Sequence, residues 1–387
     1  MKTRARPALC RLALACLALA APVCAPLPGV IAGAQAQQVD IPILVPLSGF
    51  LAFEGQSQRN GALLAMQEAS ATVPTRHEVA DTGASPEVAV NALQRALEDK
   101  PVAVIASMLG TQMLAMLPIA ADNKVPLITI SGTAKITELG NPWVFRFFPG
   151  DNVVKVAHAR YVVEELGAKH PAIIYQNDAY GQSGRQYLAA EFAALGVTPV
   201  LSEGVDVAIK DLLPVLSKAK AAGADVIVSH LHVPSSALLV KQAASSGLGL
   251  RIVSGSAIAT PSAAALLEPA ELKGVCAESS AAPLAPDTPD GERFLASYRK
   301  AFHDDPDAYA LGQYDGAQML LTAIGAGART PEAVRAALAT GSYKGVAMTY
   351  RSDGAGNMAH SAVILCYDGS SRLPHIVKRY DDIVALK

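Results

Sequence analysis

Val102-Ala103-Val104-Ile105-Ala106-Ser107 and Val125-Pro126-Leu127-Ile128-Thr129-Ile130-Ser131 are two short, almost wholly apolar runs, and residues 113–121 between them carry Leu, Met and Ala at helical spacing. Runs of that length, rich in Val and Ile, predict strands buried on both faces. The helical stretch between them returns the chain so that the second strand lies parallel to the first. This βαβ unit sets the fold class. Toward the N-terminus, Ile41-Pro42-Ile43-Leu44-Val45-Pro46-Leu47 reads as another buried strand, residues 61–69 as the start of an Ala/Leu-rich helix, and residues 86–97 as a helix with Ser85 as N-cap and Pro86 at its first position. Toward the C-terminus, Trp143-Val144-Phe145-Arg146-Phe147-Phe148 is an extended apolar segment closed by the turn Pro149-Gly150-Asp151, and then the rhythm restarts. Helices are predicted over 152–166, 184–195, 211–222 and 235–246, and strands over 171–175, 224–229 and 250–254. Two such series of about 110–130 residues each predict two similar α/β lobes of ordinary domain size.

The last third changes character. Pro283, Pro286 and Pro289 read as a linker, residues 292–303, 309–325 and 331–339 as helices, and residues 345–350, 362–368 and 375–380 as strands around the turns Asp353-Gly354 and Asp368-Gly369. Helices followed by a terminal strand pair do not make a third compact domain. They are expected to complete the two lobes already begun.

The chain has 387 residues, 51% of them hydrophobic and 17% charged, enough to bury one large core or two ordinary ones. Residues 1–36 hold Lys2, Arg4, Arg6 and Arg11 and no acid, so the remainder carries 28 Lys+Arg against 34 Asp+Glu, or −6. No basic cluster follows residue 11, which argues against nucleic acid as a partner. The basic head, the apolar run over 12–21 and Ala34-Gln35-Ala36 read as a secretory signal peptide cleaved after Ala36. Arg11, Pro22, Pro26 and Pro28 leave that run short of a membrane span. A lipoprotein signal fits less well, since Cys16 follows Ala15 but has Ala13 where Leu is wanted. Cys10, Cys16 and Cys24 leave with the signal, and Cys276 and Cys366 remain, either paired in an oxidising compartment or buried as free thiols.

Catalytic signatures are missing. No Ser has Gly at both −2 and +2, and neither a GxxxxGK[ST] loop nor HExxH occurs. Gly325-Ala326-Gly327 lacks the third glycine of a dinucleotide fingerprint and ends a helix where that motif begins one, so no cofactor is called for. His230 and His232 share one face of a strand end and could chelate a metal with Asp206 or Asp225, but a neutral histidine lining a cleft is the more economical reading. What remains is a set of small polar residues at the ends of parallel strands, Leu109-Gly110-Thr111 and Ser131-Gly132-Thr133, each just before a helix. Strand ends of this kind are where open α/β sheets bind ligands, and free amides and hydroxyls there suit a carboxylate.

Several motifs in order resemble the branched-chain amino acid (Leu/Ile/Val) type of periplasmic solute-binding protein. They are Val45-Pro46-Leu47-Ser48-Gly49 with Gly55 and Asn60-Gly61-Ala62, then the run from Val125 to Thr133, Trp143-Val144-Phe145-Arg146, Asn177-Asp178-Ala179-Tyr180-Gly181, and Tyr314-Asp315-Gly316. The resemblance implies the type I periplasmic binding fold: two Rossmann-like lobes with parallel sheets flanked by helices, joined by three crossovers and closing on a ligand. Mapped onto this chain, it implies a first lobe of residues 39–148 plus 279–340 and a second of 149–278 plus 341–387, with crossovers near Phe147, Glu278 and Gly341. It also implies a non-enzymatic periplasmic monomer that delivers a small ligand to a membrane ABC permease without itself spanning the membrane.

In relatives that bind amino acids the first lobe holds the ligand carboxylate, at positions matching Leu109, Gly110, Thr111, Ser131, Gly132 and Thr133 here, and the second offers a tyrosine matching Tyr180. Three positions depart from that pattern. Glu54 falls where an aromatic side chain is common, His230 and His232 fall near a position often held by Tyr, and Ser256 takes the place of the acid that pairs with the ligand ammonium. Either Glu54 supplies the charge from the other lobe, or the ligand is an aromatic acid or an amide instead of an amino acid. Two rival readings are a ligand-sensing receptor of the same fold and an exported metal-dependent hydrolase built on His230 and His232.

Overall fold

The computed structural model describes residues 38–384, so the export signal read in residues 1–36 lies outside the described residues. Five strands, β1 (Ile43–Val45), β2 (Val79–Asp81), β3 (Val104–Ala106), β4 (Leu127–Thr129) and β5 (Val144–Arg146), form a parallel sheet in the order β2-β1-β3-β4-β5. Ile43, Ile105, Ile128 and Phe145 stand in register across it and face one core, while Leu44, Val104, Leu127 and Val144 face a second. Helices α2 (Pro86–Glu98) and α3 (Gly110–Asn123) cover the second face, and α1 (Ala52–Ala69) lies over the first. Burial on both faces is why these strands read as unbroken apolar runs.

The second lobe repeats the plan with seven strands. They are β6 (Pro171–Gln176), β7 (Leu201–Val205), β8 (Val226–His230), β9 (Arg251–Ser254), β10 (Cys276–Ser279), β11 (Ala362–Cys366) and β12 (His375–Tyr380), in the order β12-β11-β10-β9-β8-β6-β7. From β7 to β10 the sheet is parallel, and β11 and β12 add antiparallel. Helices α4 (Asp151–Arg160) and α5 (Ala179–Ala194) cover one face, and α6 (Leu213–Ala221) and α7 (Val233–Ser246) the other. Cys276 and Cys366, directly opposite each other on β10 and β11, form a disulfide, which settles the choice left open between a pair and free thiols.

The last helices return to the first lobe. From α8 (Pro289–Phe302), α9 (Ala308–Gly325) and α10 (Pro331–Thr340), Phe294, Leu320 and Val334 join the core under α1. The approach of α1 to α9 is so close that a Cβ on Gly61 would sit 2.1 Å from the Ala310 carbonyl oxygen. Polar residues of α1 are buried in bonds that reach its neighbours: Gln58 Nε2 donates to the Ala106 carbonyl and to Gln313 Oε1, and Ser57 Oγ to Asp307. The helix therefore begins at Ala52, nine residues before the Ala/Leu-rich stretch that announces it.

Two expectations for the C-terminal segment are corrected. Residues 345–350 are not one strand but the turn and return of a hairpin, Ser342–Lys344 with Thr349–Arg351, because the buried Asp315 carboxylate accepts the Val346 and Ala347 amides at 2.8 Å each and folds the chain there. The third crossing does not fall near Gly341. Tyr350, Met358 and Ala359 pack into the first core, Tyr350 lies 5.4 Å from the Phe147 ring, and Asn357 bridges to Arg146 at the edge of the first sheet. The chain leaves the first lobe only between Ala359 and Ala362.

Candidate functional site

The strand ends of both sheets meet at a cleft. Leu109 after β3, Ile130 and Gly132 after β4, His230 at the end of β8 and Ser256 after β9 all line it, which is the carboxyl edge where parallel sheets leave amides and side chains free. Met108, Phe148, Val154, Ala257 and Tyr309 make the rest largely apolar. The lobes touch around it. Asp151 N–H donates to the Gly132 carbonyl at 2.8 Å, Ala134 N–H to Ser183 Oγ at 3.0 Å, Tyr187 to Glu138, and the Phe50 ring lies 5.0 Å from His232.

Tyr180, in the first turn of α5, stacks against both histidines, with ring centroids 3.8 Å from His230 and 4.9 Å from His232. Each imidazole has its own carboxylate. His232 Nε2 is 2.7 Å from Asp178, and His230 Nε2 is 3.3 Å from Asp151, close but too poorly aligned for a hydrogen bond. Burial, reinforced by the Lys155 charge, holds His230 well below the usual imidazole range, so its ring is neutral. Burial also pushes Asp151 up to about 7, against the pull of Lys155. The Asp178 carboxyl sits below its ordinary value because the bond and charge of His232, with two backbone amides, outweigh its burial.

Behind Ser256 lies a buried ion pair. Lys155 Nζ, on α4, is 2.6 Å from Glu278 Oε1, and Ser256 Oγ donates to Glu278 Oε2 at 2.8 Å. At the opposite wall Glu54, on the first turn of α1, is 2% exposed, and burial pushes its carboxyl up to about 8. Its Oε2 has no hydrogen-bond partner within the protein.

These elements match a known family. A profile described as periplasmic binding protein matches residues 38–369. An amino acid binding protein of Pseudomonas aeruginosa is 30% identical over 303 residues, covering 76% of this chain and 80% of the relative. The chain belongs to the periplasmic binding protein family. Among solved structures, the branched-chain amino acid transporter substrate binding protein LivJ of Streptococcus pneumoniae, in complex with isoleucine, superimposes with a TM-score of 0.79 at 22% identity, covering 88% of this chain and 100% of that one. An ABC transporter solute binding protein of R. palustris in complex with benzoate superimposes with a TM-score of 0.82 at 18% identity, covering 91% and 98%. The type I fold expected from the motifs is thus the fold of this periplasmic binding protein.

Of the residues singled out in the sequence, Glu54, Leu109, Gly132, Tyr180, His230, His232 and Ser256 line the cleft together. Gly110, Thr111, Ser131 and Thr133 are not among its lining residues. Gly110 is where α3 meets the loop after β4, and a Cβ there would fall 2.0 Å from Thr133 Oγ1. Thr111 is half-buried on α3, whereas the buried Ser131 and Thr133 hydroxyls have no partner within the protein. Loop 131–133 is held from below by Arg146, fully buried, whose Nη1 donates to the Thr133 carbonyl at 2.8 Å. Sequence reasoning missed Asp151, Lys155, Glu278, Phe148 and Tyr309. An acid inside the apolar run Val275-Cys276-Ala277-Glu278 is the signal that could have found the most important of them. Ser256 lines the cleft, and the neighbouring strand brings the Glu278 carboxylate to its hydroxyl. Among the described residues no group of three or more His, Cys, Asp or Glu is placed to share a metal ion, and no helix is long and apolar enough to cross a membrane.

Proposed function

We propose that this protein is the substrate-binding component of an ABC importer, exported by a cleaved N-terminal signal, and that it captures a small ligand, an amino acid, aromatic acid or amide, in the interlobe cleft. The observation that carries this reading is the cleft itself: aromatic and apolar walls from both lobes, with unpartnered polar atoms on Glu54, Asp151 and His230. Isoleucine in one structural neighbour and benzoate in another bracket the ligand chemistry. In this reading Tyr180, His230, His232 and Ser256 contact the ligand from the second lobe, and Glu54, Leu109 and Gly132 from the first. Asp151 lines the same space. Ser131 and Thr133 add hydroxyls behind Gly132, and Gly110 and Thr111 shape the turn that supports them. The non-enzymatic reading is supported by the way the reactive groups are spent. Ser256 faces a carboxylate already paired with Lys155 instead of an imidazole base.

A thermal-shift screen of amino acids, aromatic acids and amides tests it. A ligand that binds only the folded, closed protein raises the melting temperature by an amount set by its concentration over Kd. Stoichiometric calorimetric binding of at least one compound is the expected outcome. No shift across the three classes contradicts the reading.

A further inference from the structure

Three carboxyl groups, on Glu54, Asp151 and Glu278, line the cleft, and among the described lining residues there is no Lys or Arg. One ammonium, Lys155, stands behind the wall, and it is bound to Glu278 at 2.6 Å. His230 is neutral and faces Asp151, and His232 faces a fourth acid, Asp178. The lining therefore holds no unpaired cation for a ligand whose only charge is a carboxylate. Glu54 is the acid with the least compensation. The charged group that acts on it is another acid, Asp307, and the Tyr309 phenol is on the same side. Burial outweighs the two backbone amides, its own and that of Val233, that favour its ionised form. Its Oε2 is left over, buried and unpartnered. Around it, the Phe148 and Tyr309 rings, 5.3 Å apart, offer faces of the kind that attract a cation.

We propose that Glu54 is the specificity residue of the cleft, taking a positively charged nitrogen of the ligand at its unpartnered Oε2. This rests on the reading of the protein as a ligand trap and narrows it to amine-bearing molecules with an apolar body. A cation beside Oε2 favours the ionised carboxyl and pairs with it in a charge-assisted hydrogen bond. An amine-bearing ligand thus gains a pairing that its amine-free analogue does not.

The test uses matched pairs on the full mature chain: L-leucine with 4-methylpentanoate, L-phenylalanine with 3-phenylpropanoate, and benzylamine with benzoate. Calorimetry is expected to show that the wild-type protein binds the amine-bearing member of at least one pair about tenfold tighter or more. Glu54→Gln, which keeps the side chain's shape, is expected to shrink the preference about tenfold. Glu54→Asp is expected to keep part of it. Wild-type protein that binds the carboxylate-only members as tightly as their partners overturns the proposal, with no variant needed. So does a Glu54→Gln variant that folds normally by circular dichroism and keeps the full preference. Wild-type protein that binds neither member of any pair, nor any compound in the broader screen, overturns the ligand-trap reading and this inference with it.

Discussion

Lys155 and Glu278 are the residues on which the second lobe's half of the site depends, because both charges are out of water and each is the other's compensation. Lys155→Met leaves Glu278 buried and unpaired. Urea titration is expected to show a loss of about 3–5 kcal/mol, much of it recovered in Lys155→Met/Glu278→Met. A double variant as unstable as the single one contradicts the pairing. On the first lobe, Ser131→Ala removes a buried hydroxyl that has no partner within the protein. It is expected to weaken ligand binding by about 1.5–3 kcal/mol if that hydroxyl meets a charged ligand group. Thr111→Ala, outside the lining, is expected to leave affinity within about 0.5 kcal/mol, as surface substitutions usually do. Equal losses in both would contradict the assignment of Ser131 rather than Thr111 to the ligand. The small polar strand-end residues were legible because their position after a parallel strand already implies a site. Lys155 and Glu278 were not, since what makes them part of it is contact between residues 123 positions apart.

At the level of elements, the buried strands β3 and β4 were plain in the sequence because burial on both faces leaves no polar position to interrupt them. The edge strands β2 and β7 were not, because Val79–Asp81 and Leu201–Val205 carry polar residues on an exposed edge and show no apolar run. The first half of α1 was hidden for a different reason: its buried side chains are polar and satisfied by distant partners, which hydrophobic periodicity does not register. The disulfide joins β10, which leads out of the second lobe, to β11, which leads back in, and it closes a loop with a sequence separation of 90. Cys276→Ala/Cys366→Ala is therefore expected to lower unfolding stability by about 2–4 kcal/mol, read as a lower urea midpoint. No change in midpoint would mean that the sheet alone holds the two crossing strands in place.

Across the whole molecule, four buried carboxyls sit above their ordinary values chiefly through burial: Glu54 at about 8, Asp151 and Asp315 at about 7, and Asp307 at about 6. Each holds its proton more tightly folded than unfolded. Their contribution to stability is therefore complete below the unfolded values near 4 and is lost as pH rises toward 6–8. The ligand-free melting temperature is expected to fall between pH 5 and pH 8, and a rise over that range contradicts these assignments. Binding of a cationic ligand runs the other way. Affinity is expected to increase with pH up to about 8, where Glu54 no longer has to release a proton, and the slope should shrink in Glu54→Gln to what the Asp151 carboxyl contributes. The two-lobed plan itself was legible from the repeated βα rhythm. The exact return of the chain was not, because residues 342–359 are assigned to a lobe by Asp315 and Arg146, which meet them only in the folded protein. The claim on which everything else depends is that the closed cleft holds one small molecule. Native mass spectrometry of the purified protein, before and after denaturation and with a ligand panel added, tests it most directly. The account predicts a one-to-one complex whose small molecule is released on unfolding. A protein that carries no bound species and takes up no member of the panel contradicts it.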